Sequence, residues 1–169
     1  MKIRELSDIY EVRAAGEEDI PDILRLCRGN PMYYRYCPPE VCEENIREDM
    51  VKLPPNKGKE DKFYLCFWDK GRITAVVDLI LKYPDGETAF IGFFMVNRDC
   101  QGKGVGSRII SELLQRLEKE FSKVRLGYVK GNEQSRRFWE KNGFVPTGKI
   151  VKHELYEIVM MEKILRRSI

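Results

Sequence analysis

Between Phe93 and Ser107 the sequence sets an apolar stretch, a glycine-rich loop and the start of a helical pattern in immediate succession. The strand pattern ends at Val96, and Gly102, Gly104 and Gly106 carry the chain into the helix. Glycines keep side chains out of a loop, so successive backbone N–H groups can converge on an anion. The first turn of a helix adds unpaired donors and the positive end of its dipole. Lys103 supplies a point charge of the matching sign. Together these residues describe a cradle for phosphate or pyrophosphate. The plain structural alternative is a glycine-rich helix start that holds no ligand.

Spacing narrows the kind of cradle. Residues 102–107 read G-K-G-V-G-S, one place away from the third glycine of the dinucleotide fingerprint G-x-G-x-x-G. The loop also follows a series of strand candidates instead of opening the chain inside a βαβ unit. A G-x-x-x-x-G-K-[ST] nucleotide loop does not occur in the sequence.

Away from the loop, Asp78 interrupts the apolar run Ile73–Leu81, where a charge is costly unless it is paired or functional. It is a candidate base, with a salt-bridged structural aspartate as the alternative. Cys27, Cys37, Cys42, Cys66 and Cys100 are odd in number and irregular in spacing, which fits reduced thiols better than a disulfide framework. Cys37 and Cys42 have no second ligand pair and His153 is the single histidine, so no metal is expected.

The elements that must position these residues follow from periodicity. Tyr10 to Arg13 reads as a first strand and Glu17 to Arg28 as a helix, with Ile20, Ile23, Leu24 and Cys27 at helical spacing. A weaker helix is predicted over Pro39–Val51, with Pro39 in its first turn. Lys52 to Lys62 is a polar loop, within a variable region Arg28–Lys62 where Tyr33, Tyr34 and Tyr36 cluster. Phe63–Trp68, Ile73–Leu81 and Glu87–Val96 read as an antiparallel meander with turns at Asp69-Lys70-Gly71 and Tyr83-Pro84-Asp85-Gly86. Val105, Ile109, Leu113, Leu117 and Phe121 form the stripe of a long helix. Val124–Val129 is a strand; Asn132–Asn142 is a helix with Asn132 as N-cap and Gly143 as its stop. Phe144–Ile150 and Leu155–Lys163 are the last strands.

Composition sets the outer bounds. A length of 169 residues argues for a single domain over 1–169, with its core in residues 10–163. The 43% hydrophobic and 34% charged residues describe a soluble globular chain. No run approaches the roughly 18 apolar residues of a membrane span, and no apolar leader opens the chain, so a cytoplasmic protein without membrane partners is expected. With 30 Lys and Arg against 27 Asp and Glu, the net charge of +3 gives no footprint for nucleic acid.

One family shares this pattern. Gln101-Gly102-Lys103-Gly104-Val105-Gly106 resembles [Q/R]-x-x-G-x-[G/A], the coenzyme-A loop of the GNAT superfamily of N-acetyltransferases. Asn132, Ser135, Phe138, Trp139 and Lys141-Asn142-Gly143-Phe144 resemble that superfamily's second motif, and Val12-Arg13 through Leu24 its first strand and helix. The resemblance implies an α/β (α+β) fold: a mixed, mostly antiparallel sheet of six to seven strands flanked by four helices. It also implies a cleft where the fourth strand splays from the fifth. Phe94, Met95 and Val96 would line the pantetheine arm of acetyl-CoA, with the backbone N–H near Met95 polarising the thioester carbonyl. The amides of Gly102, Lys103, Gly104, Val105, Gly106 and Ser107 would bind the pyrophosphate, alongside Gln101. Asn132 and Ser135 would meet the pantetheine or its sulfur, with Phe138 packing nearby.

Two positions depart from the family pattern. Where many relatives carry a tyrosine acid this chain has Trp139, and where many carry a glutamate base it has Phe90. Loss of the acid is tolerable, because a thiol of ordinary pKa about 8.5 departs readily as thiolate. Loss of the base leaves Asp78 as the best substitute, ahead of Glu87, Tyr83, Tyr128 and His153. The expected function is transfer of an acetyl group from acetyl-CoA to a primary amine, by direct attack through a tetrahedral intermediate, with acetyl-CoA / CoA as the co-substrate. The acceptor would be a small-molecule or peptide amine, and the protein a monomer or homodimer. The alternative, kept open by Trp139 and Phe90, is a non-catalytic acyl-CoA sensor or interaction module.

Overall fold

The computed structural model describes residues 1–165. Its centre is a seven-stranded sheet in the order β1-β2-β3-β4-β5-β7-β6. The strands are β1 (Glu11–Ala14), β2 (Lys62–Asp69), β3 (Arg72–Leu81), β4 (Thr88–Val96), β5 (Lys123–Val129), β6 (Val145–Lys152) and β7 (Glu157–Ile164). Every pairing is antiparallel except β4 with β5. That parallel pair needs a crossover, and the helix α4 (Val105–Leu117) supplies it.

Two layers cover the sheet. On one face, Val77, Leu79, Ala89 and Ile91 pack with Ile109, Ile110 and Leu113 of α4. On the other, Val76 and Met95 pack with Ile20, Ile23 and Cys27 of α1 (Ile20–Arg28) and Ile46 of α3 (Glu43–Val51). The near-continuous apolar run of β3 follows from this arrangement, since a strand buried on both faces loses its polar alternation.

The second helix begins later than expected. Pro39 lies outside it, and the helix opens at Glu43 after Cys42, whose N–H donates to Asn45 Oδ1 at 3.2 Å. A capping asparagine one turn in sets that boundary, and Pro39 does not. A fifth helix, α2 (Pro31–Tyr36), joins the four expected ones. Its six residues, three of them tyrosine, show too little apolar periodicity to be read from the sequence. The expected loop from Lys52 to Lys62 carries a short 3₁₀ turn at Lys59–Asp61 and ends where β2 begins.

Two features of β4 shape the middle of the sheet. Its pairing with β5 runs only from Thr88↔Lys123 to Ile91↔Leu126, after which the strands part. At the same place Gly92 is an extra residue: Asp78 of β3 faces Phe93 while Leu79 faces Ile91. Beyond that bulge Phe94 and Val96 join the α4 side and Phe93 and Met95 the α1–α3 side.

Candidate functional site

The parted strands open a cleft of about 570 Å³. Phe94, Met95 and Val96 form one wall, and the loop from Arg98 to Ser107 closes one end. The helix α5 (Glu133–Lys141), entered through Asn132, forms the opposite wall with Ser135, Phe138 and Trp139. The start of α2, including Met32 and Tyr33, completes the rim.

Each wall is fixed by local chemistry. Gly102 and Gly104 hold φ of +74° and +76°, a backbone region that L side chains rarely adopt, and open space surrounds both. Gly104 caps α4, and the first amide to bond within the helix is that of Arg108, which donates to the Gly104 carbonyl at 3.0 Å. The amides of Val105, Gly106 and Ser107 are therefore the helix's unpaired first-turn donors. Gly106 serves packing instead of turning: a Cβ there would stand 3.2 Å from both Phe138 and Val96. Asn132 is buried and spends its Oδ1 on the Ser135 amide at 3.1 Å. Its side chain thereby starts α5 as the N-cap.

An aromatic cluster lines the cleft between these groups. Phe94 stacks on Phe138 at 5.7 Å, Trp139 stands edge-on to Phe138 at 4.9 Å, and Phe144 backs Trp139 at 5.2 Å. Such offset and edge contacts add to the burial of the rings themselves. Phe94 and Phe138 are both half-buried, so they pack the α4 layer and face the cleft together.

The expected site residues thus divide. Phe94, Met95, Val96, Gln101, Gly102, Gly104, Val105, Gly106, Ser107, Asn132, Ser135 and Phe138 line one cleft. Lys103 does not; its Nζ turns back to the Asp99 carbonyl at 3.1 Å. Arg98, Cys100 and Gln134 line the cleft although nothing in the motif marked them, and Lys141, the basic position of the second motif, joins them. Arg98 and Lys141 bring two cationic residues to the cleft lining.

Asp78 lies elsewhere. By alternation with Val77 and Leu79 it faces the α1–α3 layer, opposite Tyr64 of β2. It is 8% exposed and pairs with Lys62, whose Nζ donates to Oδ2 at 2.8 Å. The same Nζ is 2.7 Å from Oδ1, a contact of charge without hydrogen-bond alignment, so Oδ1 has no donor. Burial lifts the Asp78 carboxyl to about 6, while Lys62 pulls it down and Asp49 on α3 pushes it up. Gly92 is what leaves room here, since a Cβ at that residue would stand 2.8 Å from Oδ2.

The remaining candidates have ordinary partners. Phe90 meets Tyr83 edge-on at 5.4 Å near the far end of β4. Glu87 is exposed near Ser122, Tyr128 packs against the α4 layer, and exposed His153 stacks on Tyr156 at 5.0 Å. Tyr33 meets Phe93 at 5.6 Å, and burial raises its hydroxyl pKa. No group of three or more metal-ligating side chains occurs among the described residues.

Residues 25–144 match the Acetyltransferase (GNAT) family. The chain belongs to the GNAT family. Solved structures share its fold at low identity. An acetyltransferase from Thermus thermophilus superposes with TM-score 0.75 at 17% identity, over 93% of this chain and 97% of that one. A ribosomal L7/L12 alpha-N-protein acetyltransferase in complex with coenzyme A gives TM-score 0.73 at 16% identity, over 99% and 100%. The ribosomal-protein-S18-alanine N-acetyltransferase from Escherichia coli gives 0.68 at 14%, over 93% and 94%. No curated protein matches the sequence. In this GNAT chain the mostly antiparallel sheet, the splay of β4 from β5 and the glycine loop stand in the expected order. No helix among the described residues is long and apolar enough to cross a membrane.

Proposed function

We propose that this GNAT chain is an acetyl-CoA-dependent N-acetyltransferase acting on a primary amine of a small molecule or peptide. The observation that carries the reading is the cleft itself. Left-handed glycines and the free first-turn amides of α4 stand at one end, and aromatic side chains line the cleft beside the half of β4 that has parted from β5. These groups fit a ligand with a pyrophosphate at one end and a long, mostly apolar arm.

Acetyl-CoA supplies an acyl group already activated as a thioester. The amides of Val105, Gly106 and Ser107 hold the pyrophosphate, and Phe94 and Phe138 flank the arm. The backbone N–H near Met95 stabilises charge on the carbonyl oxygen as the amine attacks and a tetrahedral intermediate forms. Asn132 and Ser135 lie toward the sulfur end. Asp78, with a carboxyl lifted to about 6, is mostly ionised at neutral pH; it stands beside Phe93 of β4 and not in the cleft lining, and is the candidate to receive the amine's proton directly or through a water. The ribosomal-protein names of two structural relatives favour a peptide N-terminus among the acceptors.

The test is free-thiol release from saturating acetyl-CoA with a panel of small amines and peptides. Thiol released only when an amine is present supports the enzyme. Clear coenzyme binding with no thiol release from any amine would favour the acyl-CoA sensor, which Trp139 and Phe90 keep as the second reading.

A further inference from the structure

Asn30 lies far from the glycine loop in sequence, at the junction of α1 and α2, yet it meets the loop in space. Gln101 Nε2 donates to Asn30 Oδ1 at 2.5 Å and to the Val96 carbonyl at 3.0 Å. Asn30 Nδ2 donates to the same Val96 carbonyl at 3.2 Å and to the Leu26 carbonyl at 3.0 Å.

This small network is saturated. A side-chain amide has two N–H donors, and both amides spend both of theirs inside the protein. Val96 accepts twice, which uses both lone pairs of its carbonyl. The orientation of Asn30 is forced as well. Turning its amide over would set NH₂ against NH₂ at Gln101 and oxygen against two carbonyls.

Three parts of the cleft rim converge on this point: the last residue of β4, the start of the glycine loop, and the start of α2. The Asn30 backbone carbonyl also accepts the Tyr33 amide at 3.2 Å, so the residue begins the helix whose Met32 and Tyr33 line the cleft. Gln101 in turn has no donor left for a phosphate oxygen. Its contribution to the loop is internal.

We propose that Asn30 is a positioning residue for the phosphate loop, and that the Asn30–Gln101–Val96 clasp ties the loop's geometry to that of α2. The inference rests on the coenzyme reading and adds a residue outside the family motif. A ligand held by the loop then stabilises α2 as well, because both ends of the clasp are fixed together. By linkage, disturbing the clasp from the α2 side weakens the ligand.

Calorimetric titration with CoA of the wild type, Asn30→Ala, Gln101→Ala and the double variant tests it. Amide exchange of residues 31–37 with and without CoA is measured on the same proteins. The expected result is a roughly five- to tenfold loss of affinity for each single variant, with the double variant no weaker than the worse single. CoA should slow exchange in residues 31–37 of the wild type and leave the variants unchanged. A purely structural asparagine would lower melting temperature without removing that protection. Wild-type protein that binds no CoA overturns the coenzyme reading. Wild-type protein that binds CoA while folded Asn30→Ala and Gln101→Ala bind equally well overturns the clasp. If Asn30→Ala does not fold, the exposed Gln101→Ala variant decides the question alone.

Discussion

The two faces of β4 are built from different materials. On the α4 side the cleft is made of glycines, helix-start amides and stacked rings. On the α1–α3 side stand side chains that titrate: Asp78 with Lys62, Asp49, and tyrosines whose hydroxyls burial holds protonated. The first face can grip a ligand without regard to pH. The second responds to protons and to what its neighbours carry. A transfer reaction needs one of each, a grip that stays fixed and a group that changes state.

The sharpest test of this division is Asp78→Asn. If Asp78 takes the proton, turnover should fall by roughly 10²–10⁴-fold with coenzyme affinity unchanged. The loss should shrink as pH rises and more amine arrives deprotonated. A well-folded variant with wild-type turnover would move all chemistry to the backbone face.

Replacing Gly104 with valine strikes the other face. The left-handed backbone there costs a side chain about 1–2 kcal/mol, so coenzyme affinity should drop by about tenfold while the α1–α3 face keeps its acid–base behaviour. Titration calorimetry on the folded variant reads this directly, and unchanged affinity would remove the loop from coenzyme binding.

A smaller effect is expected from Phe138→Ala. It loses the stack on Phe94 and the contact with Trp139, worth about 0.5–1.5 kcal/mol for each aromatic pair beyond area. Stability should fall and the KM for acetyl-CoA rise, with kcat little altered. A change in kcat alone would mean that Phe138 acts at the reacting atoms.

The last expected effect is on stability against pH alone. Asp78 titrates at about 6 when folded and about 3.9 when unfolded, so between those values the folded chain binds the extra proton. Its unfavourable contribution is present in full above about pH 6 and disappears as pH falls toward about 4. The melting temperature of the wild type relative to Asp78→Asn should therefore rise by about 4–8 °C between about pH 7 and about pH 4.5. A constant difference would mean that Lys62 holds the carboxyl at its ordinary value.

Legibility in the sequence followed the same division. Strands β2 to β5, the stripe of α4 and the Asn132 cap could be read, because periodicity and capping are local properties. The glycine loop could be read because its backbone demand is written in residue type. What failed were decisions made by distant contacts. Helix α2 depends on its seat beside the cleft; the start of α3 is the exception, a local cap by Asn45 that outweighs the proline signal at Pro39. Gln101 looks like a phosphate ligand in its motif, yet Asn30 engages it from a position 71 residues away. Lys62 closed the predicted loop on paper, and in the fold it is the buried partner of Asp78.

The extra residue at Gly92 makes β4 a strand of mixed parity. Odd-numbered positions face α4 before it, at Ala89 and Ile91, and even-numbered ones do so after it, at Phe94 and Val96. Deleting that one residue would restore plain alternation without moving a side chain across the sheet. Leu79 would still face Ile91 and Asp78 would still face Phe93, so Phe94 and Val96 would stay on the α4 side and Met95 on the other. What Gly92 supplies is a local bend in β4 and a residue without a side chain beside the Asp78 carboxylate, so the position should tolerate deletion better than replacement by a bulky residue.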